Sequence, residues 1–352
     1  MESSTRFVSD LNRDGFTDFV ALGKKGLTVA WGQLSGLSDS LETIPFTLPA
    51  SWRAKDNPVM LGELNGDGYP DLILTINKGD DGQTGVWVAL GNGRGFESGR
   101  FLTSDFGRGW SFTEDDISLH DLNLDGLSDI VGIDEAGVHV ALSDGKGSFR
   151  LEEDQVPLFI KADGGGNSAW IGKKRPKYFV DVNGDNYPDI LVFKDDGVFV
   201  AAGTGRSFGE FQKWSDEFAG PLASAGYLDN QRQIADVNAD GLADLLIFQF
   251  NGVHVALNTG TQFSRSTLWL SALSGKEGWS ERRALRTVFD WNKDGYSDFV
   301  GLDNEKGLVV YLGNGSAFPS DPSAHLISMK IPGFSNWQKD RRSLYLGDFD
   351  NN

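Results

Sequence analysis

The nine residues from Asp121 to Asp129 place oxygen-bearing side chains at positions 1, 3, 5 and 9 and a glycine, Gly126, at position 6. Carboxylate and amide oxygens from one short segment, with a backbone carbonyl near position 7, form the donor set of a hard divalent cation. The glycine suits a tight loop that needs φ > 0.

The pattern occurs six times: Asp10, Asn12, Asp14, Asp18; Glu63, Asn65, Asp67, Asp71; Asp121, Asn123, Asp125, Asp129; Asp181, Asn183, Asp185, Asp189; Asp236, Asn238, Asp240, Asp244; and Asp290, Asn292, Asp294, Asp298. A seventh opens at Asp348 and Asp350. Asp, Asn and Gly are also plain turn formers, but six copies with the same four positions argue for a shared ligand. An EF-hand needs a bidentate Glu at position 12, where this chain has Ala21 and Gly132. Many flexible oxygen donors favour calcium over magnesium. Two copies depart from the pattern: Glu63 replaces the first Asp, which is expected to weaken that site, and Asn186 replaces the glycine. Asn tolerates the left-handed region, so that loop is expected to survive.

A tryptophan stands eleven residues before most loops, as Trp52, Trp110, Trp170, Trp279 and Trp337, while Ala225 holds that place before the fifth. A large aromatic at a fixed phase packs between repeating units or offers a platform for a sugar ring. On the second reading Trp110, Trp279 and Trp337 are candidate ligand-binding residues, with Arg282 or Arg341 as nearby donors. His139 and His254 share a strand position that elsewhere holds Thr28, Trp87, Phe199 and Val309. So varied a position is expected to be exposed. No nucleophile–histidine–acid arrangement is visible, and the carboxylate pairs a glycosidase would need are accounted for by the loops. The chain is therefore expected not to be an enzyme. Lys173-Lys174-Arg175-Pro176-Lys177 reads as an exposed approach to a strand rather than a nuclear import tract.

The loops start 53, 58, 60, 55, 54 and 58 residues apart, a period that marks an array of one supersecondary unit. In the first unit Arg6–Ser9 reads as a strand into the loop. Asp18–Leu22 is a near-continuous apolar strand of the kind buried on both faces. Gly23–Gly26 turns the chain, Leu27–Trp31 is a third strand, and Thr43–Thr47 a fourth with its proline on an edge. Four antiparallel strands make one propeller blade. The expectation is an all-β propeller, one domain over 1–352, with six complete repeats and the first strand of a seventh. On this phase the chain is a seven-blade ring cut after that strand, or a piece of a longer array.

The net charge is −18, with 18 of the acidic residues in the six loops, so much of the acidity belongs to the loops. A negative surface disfavours nucleic acid, which is held by Lys and Arg. There is no cysteine, which excludes disulfides and Cys-ligated zinc. No apolar run reaches the length that spans a bilayer, so no membrane insertion is expected. Met1–Arg6 is not followed by the apolar core of a secretory signal, so the sequence is expected to begin after a removed signal or to be a fragment.

The repeated Asp-x-Asn-x-Asp-Gly-x-x-Asp loop, followed by a buried strand and a strand such as Gly252-Val253-His254-Val255-Ala256-Leu257, resembles the FG-GAP/VCBS repeats of integrin α propellers and many secreted microbial proteins. The resemblance runs through the whole chain. It implies a loop joining the first two strands of each blade, several calcium ions held by the residues named above, and secreted or extracellular recognition or adhesion of a protein or glycan. The units are also similar, more loosely, to those of a fungal family of seven-bladed N-acetylglucosamine-binding lectins, through Gly109-Trp110 and Gly278-Trp279. An accessory region of a larger secreted enzyme or toxin is the alternative.

Overall fold

The computed structural model describes residues 5–23, 26–50, 52–53, 59–76, 85–103, 116–134, 137–150, 158–161, 177–194, 196–218, 231–279, 284–303, 305–318 and 326–329. The seventh loop and its strand, Trp110, Trp170, Trp337, Ala225, Arg282, Arg341 and 173–176 lie outside the described residues.

Among the described residues strands account for nearly all the regular structure, with one short 3₁₀ turn at Gly275–Glu277. Among the same residues they form six antiparallel sheets of four or five strands in which the strands follow chain order, the arrangement of propeller blades, and a two-stranded ribbon of Gly32–Gln33 with Gly36–Leu37. Blade one is Thr5–Ser9, Asp18–Gly23, Gly26–Ala30 and Glu42–Ile44; blade two is Val59–Gly62, Asp71–Ile76, Gly85–Ala89 and Arg100–Thr103. Blade three is Asp116–His120, Asp129–Asp134, Gly137–Ser143 and Leu158–Lys161, with Phe149–Arg150 paired to the end of its third strand. Blade four is Lys177–Val180, Asp189–Lys194, Gly197–Ala201 and Gln212–Ser215; blade five is Gln231–Ala235, Asp244–Gln249, Gly252–Ala256 and Thr267–Leu270. Blade six is Ala284–Phe289, Asp298–Asp303, Gly307–Tyr311 and Leu326–Met329. The chain divides into two compact units, one holding blades one to three and the other blades four to six.

The fourth strand of blade one ends at Ile44, before Pro45, rather than running to Thr47 as the sequence suggests. A proline has no N–H to give to the ladder. The second strands of blades two and six are buried at every residue, as their apolar runs imply. That of blade one instead alternates buried and half-buried residues.

Apolar side chains from neighbouring blades meet in shared cores. In the first unit Val20, Leu22 and Leu27 pack with Leu72, Leu74 and Trp87, and Ile73 and Val88 pack with Ile130. In the second unit Leu191 and Phe193 pack with Ile247, and Leu246 and Phe248 with Phe299. Two buried arginines cross between blades there at equivalent places, four residues before a loop. Arg232 lies 4.9 Å from the Phe193 ring centre and Arg286 lies 5.1 Å from that of Phe248. A guanidinium over an aromatic face keeps favourable electrostatics where water is excluded.

The shared histidine position is not open, as its variety had suggested. Trp87 is 5 % and Val309 8 % exposed, while Thr28, His139, Phe199 and His254 are half-buried. The third strand lies between the second and fourth, which leaves little of it uncovered.

Candidate functional site

Each of the six loops joins the first and second strands of its blade. The last aspartate of each loop opens the second strand, and all six, Asp18, Asp71, Asp129, Asp189, Asp244 and Asp298, are fully buried.

Both oxygens of each of these buried carboxylates accept backbone N–H groups. Oδ2 takes the N–H of loop position 2, from Leu11, Leu64, Leu122, Val182, Val237 and Trp291, at 2.7 to 3.1 Å. Oδ1 takes the N–H of the residue that ends the third strand, Ser143, or of one two places beyond its end, Gly32, Gly91, Gly203, Asn258 and Gly313, at 2.7 to 2.8 Å. One carboxylate thereby ties the loop to the far end of the third strand. Charge-assisted bonds of this kind are about twice as strong as neutral ones. Burial pushes the carboxyls of Asp71, Asp129, Asp189 and Asp244 up to about 6; the two N–H donors pull them down, and the neighbouring loop carboxylates add to the rise.

The other three positions close the turn. The asparagine at position 3 donates from Nδ2 to the aspartate at position 5 at 2.8 to 3.0 Å in all six loops. Its Oδ1 accepts the N–H of position 5 at 2.8 to 3.2 Å. The position 5 carboxylate accepts the N–H of position 7 at 2.8 to 2.9 Å. At position 1, Asp10, Asp121, Asp236 and Asp290 use one oxygen for the N–H of position 5 and the other for that of position 6. Asp181 uses one for Asn183 and Gly184 and the other for Asn186.

Position 6 has φ of 72° to 91° in all six loops, and Asn186 adopts this conformation as its type allows. Position 4 is left-handed as well, which the sequence reading missed. Arg13, Leu124, Ala239 and Lys293 hold φ of 58° to 61° there. The one available signal was the glycine at this place in two loops, Gly66 and Gly184.

The second loop differs from the rest. Glu63 places both accepted N–H groups, from Asn65 and Gly66, on Oε1. Its Oε2 is buried with no hydrogen-bond partner. A buried, unpartnered carboxylate oxygen is costly, and a cation relieves that cost. Among the described residues no three acidic or histidine side chains are gathered closely enough to hold an ion. The donor chemistry nonetheless fits one: an ionised carboxylate has about four acceptor sites, and the turn-closing bonds leave some unused. Positions 1, 3 and 5 of each loop, with the buried aspartate behind them, are the residues that would hold it.

The two described tryptophans of the eleven-residue series, Trp52 and Trp279, are each 3 % exposed. Trp279 packs in the core of the second unit, with the Lys306 ammonium 4.6 Å from its ring centre and Gly301 beneath its edge. No face of it is open to a sugar ring. Trp52 lines a cavity of about 320 Å³ that follows the fourth strand of blade one. Phe46, Thr47, Leu48, Pro49, Ala50 and Arg53 complete its lining.

Comparison with known proteins agrees with this architecture. Residues 10–74 and 121–192 match the FG-GAP-like repeat family. Among solved structures the chain is similar to an Agrocybe aegerita lectin described as recognising non-reducing terminal N-acetylglucosamine. That match has a TM-score of 0.77 and 25 % identity, over 95 % of this chain and 82 % of the lectin. A chain of the Photorhabdus luminescens Tc holotoxin pore matches with a TM-score of 0.50 and 18 % identity, over 86 % of this chain and 13 % of its own length. The toxin match shows the fold alone.

Proposed function

We propose that this array of FG-GAP-like repeats is a non-catalytic recognition propeller, loaded with calcium and acting outside the cell, whose ligand is a carbohydrate. The observation that carries the carbohydrate reading is the likeness, across 95 % of the chain, to a lectin of the same architecture. Calcium is supported by the oxygen-rich loops and by the orphaned Glu63 Oε2. The non-catalytic reading is supported by the employment of the acidic side chains, which serve as acceptors that close turns and tie strands.

The experiment is a glycan array probed with the protein in calcium and again in chelator. Binding to a defined set of glycans is the expected result. Silence in both arms overturns the carbohydrate reading and favours the second one, an accessory propeller of a longer secreted enzyme or toxin. A chain that aligns with 13 % of a toxin chain shows that the fold occurs inside much longer proteins.

A further inference from the structure

We propose that the ion loops fill in coupled pairs, the second with the third and the fifth with the sixth, and that a serine at loop position 8, Ser128 or Ser297, carries the coupling. This rests on the calcium reading and goes beyond it by joining the sites.

Position 8 lies between the backbone carbonyl of position 7 and the buried aspartate of position 9, inside the segment that a hard cation gathers. Thr17, Pro70, Ser128, Pro188, Ala243 and Ser297 hold this place. Both serines reach back to the first residue of the preceding loop. Ser128 gives its N–H to the Glu63 carbonyl at 2.6 Å, and its hydroxyl accepts the Glu63 N–H at 3.1 Å. Ser297 donates its hydroxyl to the Asp236 carbonyl at 2.8 Å. Gly62, just before Glu63, leaves the room for this, since a Cβ there would run into the Ser128 side chain. Each serine thus joins a stretch of donors in one loop to the main chain of a donor in the next. Pro70 and Pro188 have neither N–H nor hydroxyl to offer, and Ala243 lacks the hydroxyl, so the fifth loop cannot hold the fourth in this way.

The coupling follows from conformational entropy. Fixing the main chain of a donor residue is unfavourable. When the third loop is filled, residues 127–129 hold one arrangement, and Ser128 passes that order to Glu63 before the second loop binds. A site already ordered by its neighbour binds more tightly, with no change of contacts needed. Thermodynamic linkage makes the effect equal in both directions. The second loop has the most to gain, because the Glu63 Oε2 is buried with no hydrogen-bond partner. It is also held from its other side by the first loop, where Arg13 Nη1 donates to the Asp67 carbonyl at 2.7 Å.

The test is a calcium titration of the intact ¹⁵N-labelled chain, followed by amide resonances. Gly66, Gly241 and Gly184 report the second, fifth and fourth loops, because each donates its N–H to the position 1 carboxylate of its own loop at 2.7 to 2.8 Å. Asp125→Ala disables the third loop, Asp294→Ala the sixth and Asp240→Ala the fifth. The expected result is binding weakened about fivefold or more at Gly66 in Asp125→Ala and at Gly241 in Asp294→Ala, against under about twofold at Gly184 in Asp240→Ala. With Ser128→Ala already in place, Asp125→Ala should no longer alter the Gly66 midpoint, a comparison that a general loss of stability leaves intact. If the Gly66 midpoint ignores Asp125→Ala, or still follows it without Ser128, the coupling is overturned while calcium loading stands. An equal shift at Gly184 overturns the assignment to the serines. If no loop resonance responds to calcium, the calcium reading and the coupling fail together.

Discussion

Ser128 grips Glu63 at both of its backbone groups. The Ser128 N–H donates to the Glu63 carbonyl at 2.6 Å, and the Ser128 hydroxyl accepts the Glu63 N–H at 3.1 Å. Position 8 of the third loop thus holds position 1 of the second, where the orphaned carboxylate oxygen lies. Ser143 adds a hydroxyl bond to the Leu64 carbonyl at 3.0 Å. Ser128→Ala removes the acceptor and leaves a part-buried N–H unmade, so the expected loss is about 1–2 kcal/mol. A lower melting temperature and a weaker calcium effect on it than in the parent check this. An unchanged melt in both conditions counts against the grip.

The buried aspartates should be more costly to alter than the exposed ones. Asp129→Asn replaces an acceptor oxygen with an amide that faces a backbone N–H, from Ser143 or Leu122, so a loss of about 2–4 kcal/mol is expected. Asp125→Asn keeps the geometry of an exposed turn and should cost under about 1 kcal/mol in chelator. Thermal melts in chelator rank the two, and a reversed order overturns the latch.

Calcium should raise the melting temperature and chelator should lower it, because an ion that binds only the folded chain stabilises it by mass action. Glu63→Gln should reduce the number of ions bound. Calorimetric titration counts them, and a melt indifferent to calcium over a wide concentration range argues against loading.

Gly203 has no room for a side chain, since an added Cβ would run into the Pro188 carbonyl oxygen. Gly203→Ala should cost about 1–3 kcal/mol, the usual range for overpacking. The equivalent places in blades three and five hold Ser143 and Asn258, whose side chains reach the Leu64 and Val182 carbonyls. Replacing Asn258 with Gly should therefore also destabilise, by loss of its bonds.

Acid should weaken the fifth blade through His254. Burial pushes its imidazole below the usual range, against an opposing pull from Glu217. The unfolded chain then takes up the proton first as pH falls past about 6.5. The contribution of His254 to stability is full above that pH and declines below it toward the lower folded value. His254→Gln should show a smaller drop in melting temperature between pH 7 and pH 5. An identical drop assigns the acid sensitivity elsewhere.

The blades were legible in the sequence because the loop motif marks every first turn and the second strands are runs such as Leu72-Ile73-Leu74. Pro45 misled at the fourth strand because edge prolines are tolerated in general but not used here. The dual role of the last aspartate was not legible. Position 9 looks like one more ligand until the chain folds and brings a residue 14 positions further on, as Ser143 to Asp129, onto its second oxygen. The arginine–phenylalanine stacks were hidden for the same reason, because Arg286 and Phe248 lie on different blades.

The aspartate that ties each loop to its third strand makes the signature a folding element in its own right. Selection for a closed blade would preserve those letters in a lineage that had abandoned the ion altogether. A duplicated blade would carry its own clasp into the array.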